Sequence, residues 1–285
     1  MSADVLSALL RALSFVALFQ ASGAAIFVAL FGPRLSLAST PVRRVGFHSA
    51  LIAIALVTVH YGLEAARMAG ALSGAFDASL QALVLESPMS TAWILRTVGL
   101  ALIAATITRT GGVASVLGLC GVMLTLSAFL WVGHTAIDAD RAWLGVFLAA
   151  HLAVVAFWFG ALAPLYLLSA QEPAASAAAV VRDFSRMALW LVPGILVAGG
   201  LMTFLLVDRW AVFREGYGVL LLVKVGAFAA LLALGALNKW RYGPALAVSR
   251  DATAAFQRTV GIEYALICAV LIVTAVMTTF FSPEH

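Results

Sequence analysis

Charged residues are scarce in this 285-residue chain. They make up 11% of it, whereas hydrophobic residues make up 64%. A soluble domain averages about 25% charged and about 45–50% apolar residues. So much apolar surface cannot be buried in a single water-soluble core. The composition therefore predicts that the lipid bilayer is the main solvent of the protein, and it excludes an ordinary soluble domain.

Cysteines are few, and the usual motifs of soluble enzymes are missing. Cys120 and Cys268 lie in apolar segments and form no CxxC motif, so they indicate neither a disulfide framework nor a redox compartment. The sequence contains no P-loop, no GxGxxG motif after a strand, no HExxH motif and no nucleophile elbow. It also lacks the basic patches with interleaved aromatics that bind nucleic acid. These absences argue against an enzyme and against a nucleic-acid-binding protein.

Eight apolar runs are each long enough for a transmembrane helix, which needs roughly 20 residues. They show no alternating β-barrel pattern, so helices are the only plausible spanning elements. The first run does not resemble a cleaved signal peptide, because it lacks a basic n-region and exceeds an h-region of roughly 7–15 residues. The sequence predicts an all-α polytopic membrane protein, a single membrane domain over residues 1–285 with no fused soluble domain. Segments 1 to 8 are 5–31, 45–69, 91–108, 113–133, 143–168, 186–207, 217–238 and 260–280.

Lysines and arginines are distributed unequally between the two sets of loops. The odd-numbered loops hold ten of them and the even-numbered loops hold four. By the positive-inside rule, the odd loops face the cytoplasm and both termini face the outside, which is the periplasm in a Gram-negative host. The longest outer loop, 70–88, is expected to contain a short interfacial helix around 78–85. The odd-loop residues are Arg34, Arg43, Arg44, Arg109, Arg182, Arg186, Lys239, Arg241, Arg250 and Arg258.

Segments 1–4 align with segments 5–8 at several positions. Ser14 and Gly23 precede His151 and Gly160 by one common offset along the chain. Because each half has an even number of segments, a duplication would give parallel repeats, 1–138 and 139–285, related by a two-fold axis along the membrane normal. The alternative is chance similarity between apolar segments. The other aligned pairs are Phe47 with Phe184, Arg96 with Lys224, and Cys120 with Cys268.

Three histidines fall in the outer half of the predicted membrane region. His60 and His151 lie at similar depth in segments 2 and 5, and His134 ends segment 4 near the outer surface. Glu64 follows His60 by one helical turn and shares its face. Inserting an ionisable residue at the membrane centre costs about 2.5–3.5 kcal/mol, so such a residue is expected to have a structural or functional role. Since imidazole suits copper in either oxidation state, these four residues are the candidate metal ligands. The alternative is that each histidine separately hydrogen-bonds a neighbouring helix.

Sulfur-containing and basic side chains form a second group of candidates. Thioether and thiolate groups suit Cu(I), so Met68, Met89, Cys120 and Cys268 are additional candidate metal ligands, although simple packing explains each of them as well. Arg96 and Lys224 are candidate buried charges. They either pair with acidic groups, line a water-filled vestibule, or extend to the outer interface.

Five short stretches, all after residue 131, carry a resemblance to a known protein family and occur in the same order as in that family. They are VGHTA (132–136), HLAVVAFWFGALAPL (151–165), YGVLLLVK (217–224), NKWRYGP (238–244) and the IEYAL start of segment 8 with its Ser-Pro ending. These stretches resemble the CopD family of bacterial copper-resistance and copper-uptake proteins. The resemblance implies copper ion as the ligand, the bacterial inner membrane as the location, and a periplasmic CopC-like copper-binding protein as partner. The family tends to carry an Arg-x-x-His pattern in helix 1, where this chain has Arg11 and Ser14.

The residues and the resemblance together predict a copper transporter, most directly an importer that receives copper from the periplasm at His60, Glu64, His134 and His151. Two alternatives stay open. In one, His60 and His151 are the axial ligands of haem b in a membrane haem protein. In the other, the protein binds copper for delivery or sensing and does not transport it.

Overall fold

The computed structural model describes residues 3–133, 140–206 and 216–281. Within these ranges the chain is helical without β-strands, and eight helices are long and apolar enough to cross a membrane. This confirms the predicted all-α fold with eight spans. We number the spanning helices α1 (Ala3–Phe31), α2 (Ser39–Gly62), α3 (Pro88–Ile107), α4 (Gly112–Ser127), α5 (Arg141–Gln171), α6 (Ala174–Leu191 and Pro193–Leu206), α7 (Gly216–Leu237) and α8 (Arg250–Phe280).

Two spanning helices begin well before their predicted segments. α6 starts at Ala174 and α8 at Arg250, whereas the apolar runs start at 186 and 260. The added turns contain charged residues such as Asp183 and Arg258. Because these turns are not apolar, a hydropathy pattern does not predict them as part of the spanning helices, although the helical backbone continues through them. These turns extend the helices beyond the apolar part of the bundle.

Two prolines that lie within spanning segments have different effects on their helices. Pro193 begins the second part of α6 and separates it from Ala174–Leu191. A proline fits the first position of a helix because its missing N–H would have had no helical partner there. Pro164 lies inside α5, which stays helical from Arg141 to Gln171.

The loop between α2 and α3 contains the short helix that the sequence predicts. It spans Ala78–Glu86 and is capped by Asp77, which accepts hydrogen bonds from the N–H groups of Ser79 (2.9 Å) and Leu80 (3.2 Å). The Ser79 hydroxyl, together with these two N–H groups, holds the pKa of Asp77 below its usual value. Such side-chain caps stabilise short helices by satisfying their free N–H groups.

α1 is the central helix of the bundle. Of its most apolar stretch 72% is buried, compared with 6% for α7, and it packs against α2, α3, α4, α5 and α8. α1 and α5 cross at Gly23 and Gly160, where a Cβ on Gly23 would overlap the Ala156 carbonyl oxygen and lie 2.9 Å from the Gly160 nitrogen. Such close backbone approach requires glycine.

The first and last spanning helices meet at one end of the bundle. Nη1 of Arg11 in α1 donates a hydrogen bond to the Thr278 carbonyl of α8 at 2.9 Å. The beginning of α1 therefore lies beside the end of α8. This is the arrangement expected when eight helices cross in alternating directions.

Candidate metal centre

His60 is buried where the end of α2 meets the beginning of α1. Its Nε2 lies 3.0 Å from the Ser7 hydroxyl. The guanidinium groups of Arg11, Arg67 and Arg96 are close enough to act on the ring electrostatically. The histidine is therefore already hydrogen-bonded, and its cationic neighbours oppose the arrival of another positive ion.

Glu64 begins the short helix Glu64–Ala69 that continues α2, and it is paired with Arg67. Nη1 of Arg67 lies 3.1 Å from both carboxylate oxygens of Glu64, and its Nε lies 3.3 Å from Asp4 of α1. The ion pairs balance part of the positive charge around His60. For Glu64 to bind a metal, Arg67 would have to be displaced. We call Asp4, Ser7, Arg11, His60, Glu64 and Arg67 the outer polar cluster.

His151 lies on the face of α5 that contacts α6. Its ring lies within hydrogen-bonding reach of the Ile195 backbone and close to Gly199, and Lys224 of α7 acts on it electrostatically. Nδ1 of His151 is buried and forms no hydrogen bond with any described residue. Buried polar atoms without a partner are rare in folded proteins. By distance and angle Nδ1 is therefore left without a partner, while the ring as a whole lies within weak hydrogen-bonding reach of the Ile195 backbone.

The two histidines belong to different surroundings. His60 contacts α1 within the outer polar cluster, whereas His151 faces α6 and Lys224. In the described part of the chain, no three or more histidine, cysteine, aspartate and glutamate side chains are grouped as a metal site. His134 lies outside the described residues. The four-ligand set accordingly stays a prediction.

The sulfur candidates are spread over the bundle and lie in different settings. Met68 is 54% exposed, and Met89 is partly buried at the beginning of α3. Cys120 is exposed on α4, while Cys268 is partly buried near Tyr264 on α8. An exposed side chain on a spanning helix faces lipid, so Cys120 does not line the interior of the bundle.

The two candidate buried cations form no ion pair with any residue that the structure describes. The guanidinium carbon of Arg96 lies 4.5 Å from the centre of the Phe129 ring, and its Nε lacks a hydrogen bond there. A cation placed over an aromatic face is attracted by the ring electrons. Phe129 stacks on Phe19 of α1, with ring centres 5.9 Å apart. Arg96 is thus held by an aromatic contact, and Lys224 lies near His151.

Two polar contacts gave no signal in the sequence. Ser7, the partner of His60, is one small residue in a long apolar run. Glu172, which follows α5, accepts hydrogen bonds from the Ser36 N–H (2.7 Å), the Ser36 hydroxyl (2.7 Å) and the Ala38 N–H (2.9 Å). Burial alone would raise the pKa of Glu172, but hydrogen bonds from Ser36, Ala38 and the Leu37 backbone outweigh it and lower the pKa. This carboxylate fastens the loop after α1 to the end of α5.

Comparison with known proteins points to copper resistance and transport. Residues 178–277 match the family described as copper resistance protein D, and residues 1–146 match the copper resistance protein D-like N-terminal domain. Copper resistance protein D of Pseudomonas syringae pv. tomato is 31% identical over an alignment of 288 positions, gaps included, which covers 92% of this chain and 91% of that protein. No solved structure is significantly similar.

A second relative is much longer than this chain. The copper transport protein CutJ of Bacillus subtilis (strain 168) is 34% identical over 166 residues, which cover 56% of this chain but only 29% of that protein. The names of these relatives describe copper resistance and copper transport, not catalysis, as the sequence predicts. Together with its eight spans, the matches show that the chain is a multi-pass membrane protein of the copper resistance protein D family.

Proposed function

We propose that this protein transports copper ions across the bacterial inner membrane, from the periplasm to the cytoplasm, through a histidine site in the outer half of the membrane. Family membership supports copper as the ion. The observation that carries the site is the buried Nδ1 of His151, which has no hydrogen-bond partner in the described part of the chain. Neutral imidazole nitrogen is a common copper ligand.

The contacts rank the candidate ligands. His151 comes first because nothing in the described structure occupies its Nδ1. His60 follows, because copper would have to replace its hydrogen bond with Ser7. Glu64 would have to leave Arg67 before it could bind. His134 is proposed from the sequence as the first ligand that copper meets at the outer surface.

The cations near both histidines favour transient binding of copper over permanent binding. Lys224 acts on His151, and three arginines act on His60. Repulsion from these groups weakens the binding of a copper ion. Transport needs an ion site that is favourable enough to be entered and weak enough to be left. We therefore treat copper as the transported substrate and the histidines as its temporary ligands.

The proposed direction rests on orientation. The excess of lysine and arginine in the odd loops supports an orientation in which both termini, His60 and His151 lie on the periplasmic side. Copper would then reach the histidines from the periplasm, delivered by a soluble copper-binding protein of the CopC type. The name of the Bacillus relative, a copper transport protein, supports transport over storage.

We also propose that the two halves are parallel repeats related by a two-fold axis. In such an arrangement, equivalent residues of the two helices on the axis contact each other. Gly23 and Gly160 occupy equivalent positions in the sequence alignment of the halves, and their backbones are in direct contact. This contact supports a duplication, with Ser14 at the position equivalent to His151.

Copper uptake into proteoliposomes tests the function, and cellular copper content tests the direction. We expect His151→Ala to lower uptake at least about tenfold, the loss that follows from about 1.4 kcal/mol of binding free energy, and His60→Ala to lower it less. His48→Ala is the matched control, because His48 is exposed at the inner end of α2 and bonds only the Arg44 carbonyl among the described contacts. Unchanged uptake in both His151→Ala and His60→Ala would exclude this site.

The same preparations separate the other two hypotheses. A Soret band in the purified protein would indicate haem bound by His60 and His151. Copper binding without uptake into proteoliposomes would indicate delivery instead of transport. Neither histidine lines the cavity of about 320 Å³ between α5, α6, α7 and α8, and no described contact favours haem over copper.

A further inference from the structure

A cavity of about 320 Å³ lies between α5, α6, α7 and α8, and on α5 it begins at Trp158, about two helical turns after His151. Its volume falls within the range of about 300–1,000 Å³ that is typical of small-ligand sites. Most of its wall is apolar, from side chains such as Leu162, Phe184 and Val260. Glu263 of α8 also lines it, and this carboxyl group has no place in the copper site proposed above.

Glu263 is fixed by a chain of hydrogen bonds. Its Oε1 accepts a hydrogen bond from Nδ2 of Asn238 at 2.6 Å, and Oδ1 of Asn238 accepts one from the Thr259 hydroxyl. The Trp158 indole of α5 lies within hydrogen-bonding reach of the same carboxylate. These partners position the carboxyl group at the cavity wall without neutralising it, because none of them is charged.

No cation is paired with Glu263 in the described structure. The side chain is only 2% exposed, and none of the ion pairs formed by described residues includes it. An unpaired ionised carboxylate in an apolar medium costs many kcal/mol. The group must therefore carry a proton for much of the time, or meet a cation that enters the cavity. Intramembrane acidic residues of this kind commonly belong to ion or proton pathways.

The other charged and titratable groups around the cavity are few. Lys239, which follows α7, is the one further ionisable side chain in the described lining, and its ammonium lies 5.8 Å from the Trp240 ring centre. α6 contributes the neutral Ser185, while α5 and α7 contribute no ionisable group to the lining. A proton on Glu263 therefore responds mainly to its own site and to Lys239.

The cavity opens toward the edge of the bundle near its inner end. Trp240, which lines it beside Lys239 after the end of α7, is 68% exposed. The backbone also departs from regular α-helix here, because residues Asn238–Tyr242 form a π-helical turn directly after α7. Such turns are frequent at functional sites. The turn places Asn238 against Glu263 and Lys239 at the cavity wall.

We propose that this cavity is a proton-binding site of the inner half of the membrane, in which Glu263 takes up and releases a proton through the opening beside Lys239 and Trp240. The site is separate from the proposed copper site and does not depend on it. Asn238 and Thr259 are positioning residues that hold the carboxyl group at the cavity. The expected occupant is a proton, exchanged with water at the inner membrane surface.

Labelling with dicyclohexylcarbodiimide tests this proposal on the wild-type protein in proteoliposomes without copper. This apolar reagent adds a protonated carboxyl group across one of its C=N bonds, and the adduct rearranges to a stable N-acylurea with no leaving group. We expect peptide mass spectrometry to find the label on Glu263. Between about pH 6 and about pH 9 the labelled fraction should fall at least about tenfold, because a carboxyl group that exchanges its proton is then deprotonated.

Three variants make the result specific. Glu263→Gln should lose the label, and Glu86→Gln should keep it, since Glu86 lies outside the spans at the end of the short outer helix. Asn238→Ala should alter the pH dependence of labelling while Glu263 itself remains, which keeps the test valid if Glu263→Gln does not fold. His151→Ala should label like the wild type, so this result is independent of copper uptake. Absence of label on Glu263, or labelling that does not change with pH, would overturn the proposal.

Discussion

The crossing of α1 and α5 allows a quantitative prediction for Gly23→Ala. A Cβ at Gly23 would overlap Ala156 and lie 2.9 Å from the Gly160 nitrogen, whereas carbon atoms pack favourably at about 3.5–4.0 Å. Both obstacles are backbone, which cannot rotate away, so the helices must separate by about 1 Å. Overpacking costs typically about 1–3 kcal/mol. The hydrogen bond from Gln20 Nε2 to the Gly160 carbonyl, 3.0 Å long, would also stretch. We therefore expect Gly23→Ala to lower the free energy of unfolding by about 3 kcal/mol in total.

Thermal unfolding in mild detergent, followed by circular dichroism, measures this loss. The matched control is Gly226→Ala on α7, where a Cβ would meet no atom within 4 Å and alanine favours the helix by up to about 1 kcal/mol. Gly23→Ala should unfold at a temperature well below that of the wild type, and Gly226→Ala at the wild-type temperature or above it. Because Gly23 and Gly160 separate the same pair of helices, the double alanine variant should cost less than the sum of the single variants. Equal unfolding temperatures for Gly23→Ala and Gly226→Ala would refute the close crossing.

Two further predictions concern the loops. Glu172→Gln should destabilise the protein by about 2 kcal/mol or more, because hydrogen bonds to a charged group contribute about 1.5–3 kcal/mol. Since the folded-state pKa of Glu172 is lowered, its stabilisation is present above the unfolded pKa of about 4.3 and is lost as the pH falls through the folded pKa; melting curves across acidic pH should show this loss in the wild type and not in Glu172→Gln. Asp77→Ala should speed amide hydrogen exchange in residues 78–86 through loss of the helix cap, with little change in the spanning helices. Retained protection in that helix would contradict the capping role.

The sequence predicts the spanning helices well, because a long apolar run has few alternatives in a membrane. It predicts the ends of α6 and α8 poorly. Their first turns carry charged residues such as Asp183 and Arg258 and extend beyond the apolar region, where a hydropathy pattern no longer separates helix from loop. The helix Ala78–Glu86 could be predicted because Asp77 precedes a short apolar run in a polar loop.

The surroundings of the candidate ligands could not be predicted in the same way. Depth follows from the count of residues along each helix, but the direction of a side chain does not, because lipid and bundle interior are both apolar. Cys120 shows the consequence, since it lies at a suitable depth and yet is exposed on the surface. The partner of His60 is Ser7, on another helix and far away in the chain. Such a contact leaves no local pattern.

The two proposed sites lie along one face of α5, which limits how the protein could work. His151 and Trp158 are seven residues apart, two helical turns or about 10 Å, and therefore point to the same side. His151 has the ring nitrogen without a described hydrogen-bond partner, and Trp158 lines the cavity that holds Glu263. The helices that cover this face, α6 and α7, are the least buried, at 11% and 6%, whereas α1 and the outer polar cluster close over His60. Movement of α6 or α7 would open this face of α5 without disturbing the Gly23–Gly160 crossing. An ion pathway in the second half of the bundle would therefore disrupt fewer packed side chains than one through α1.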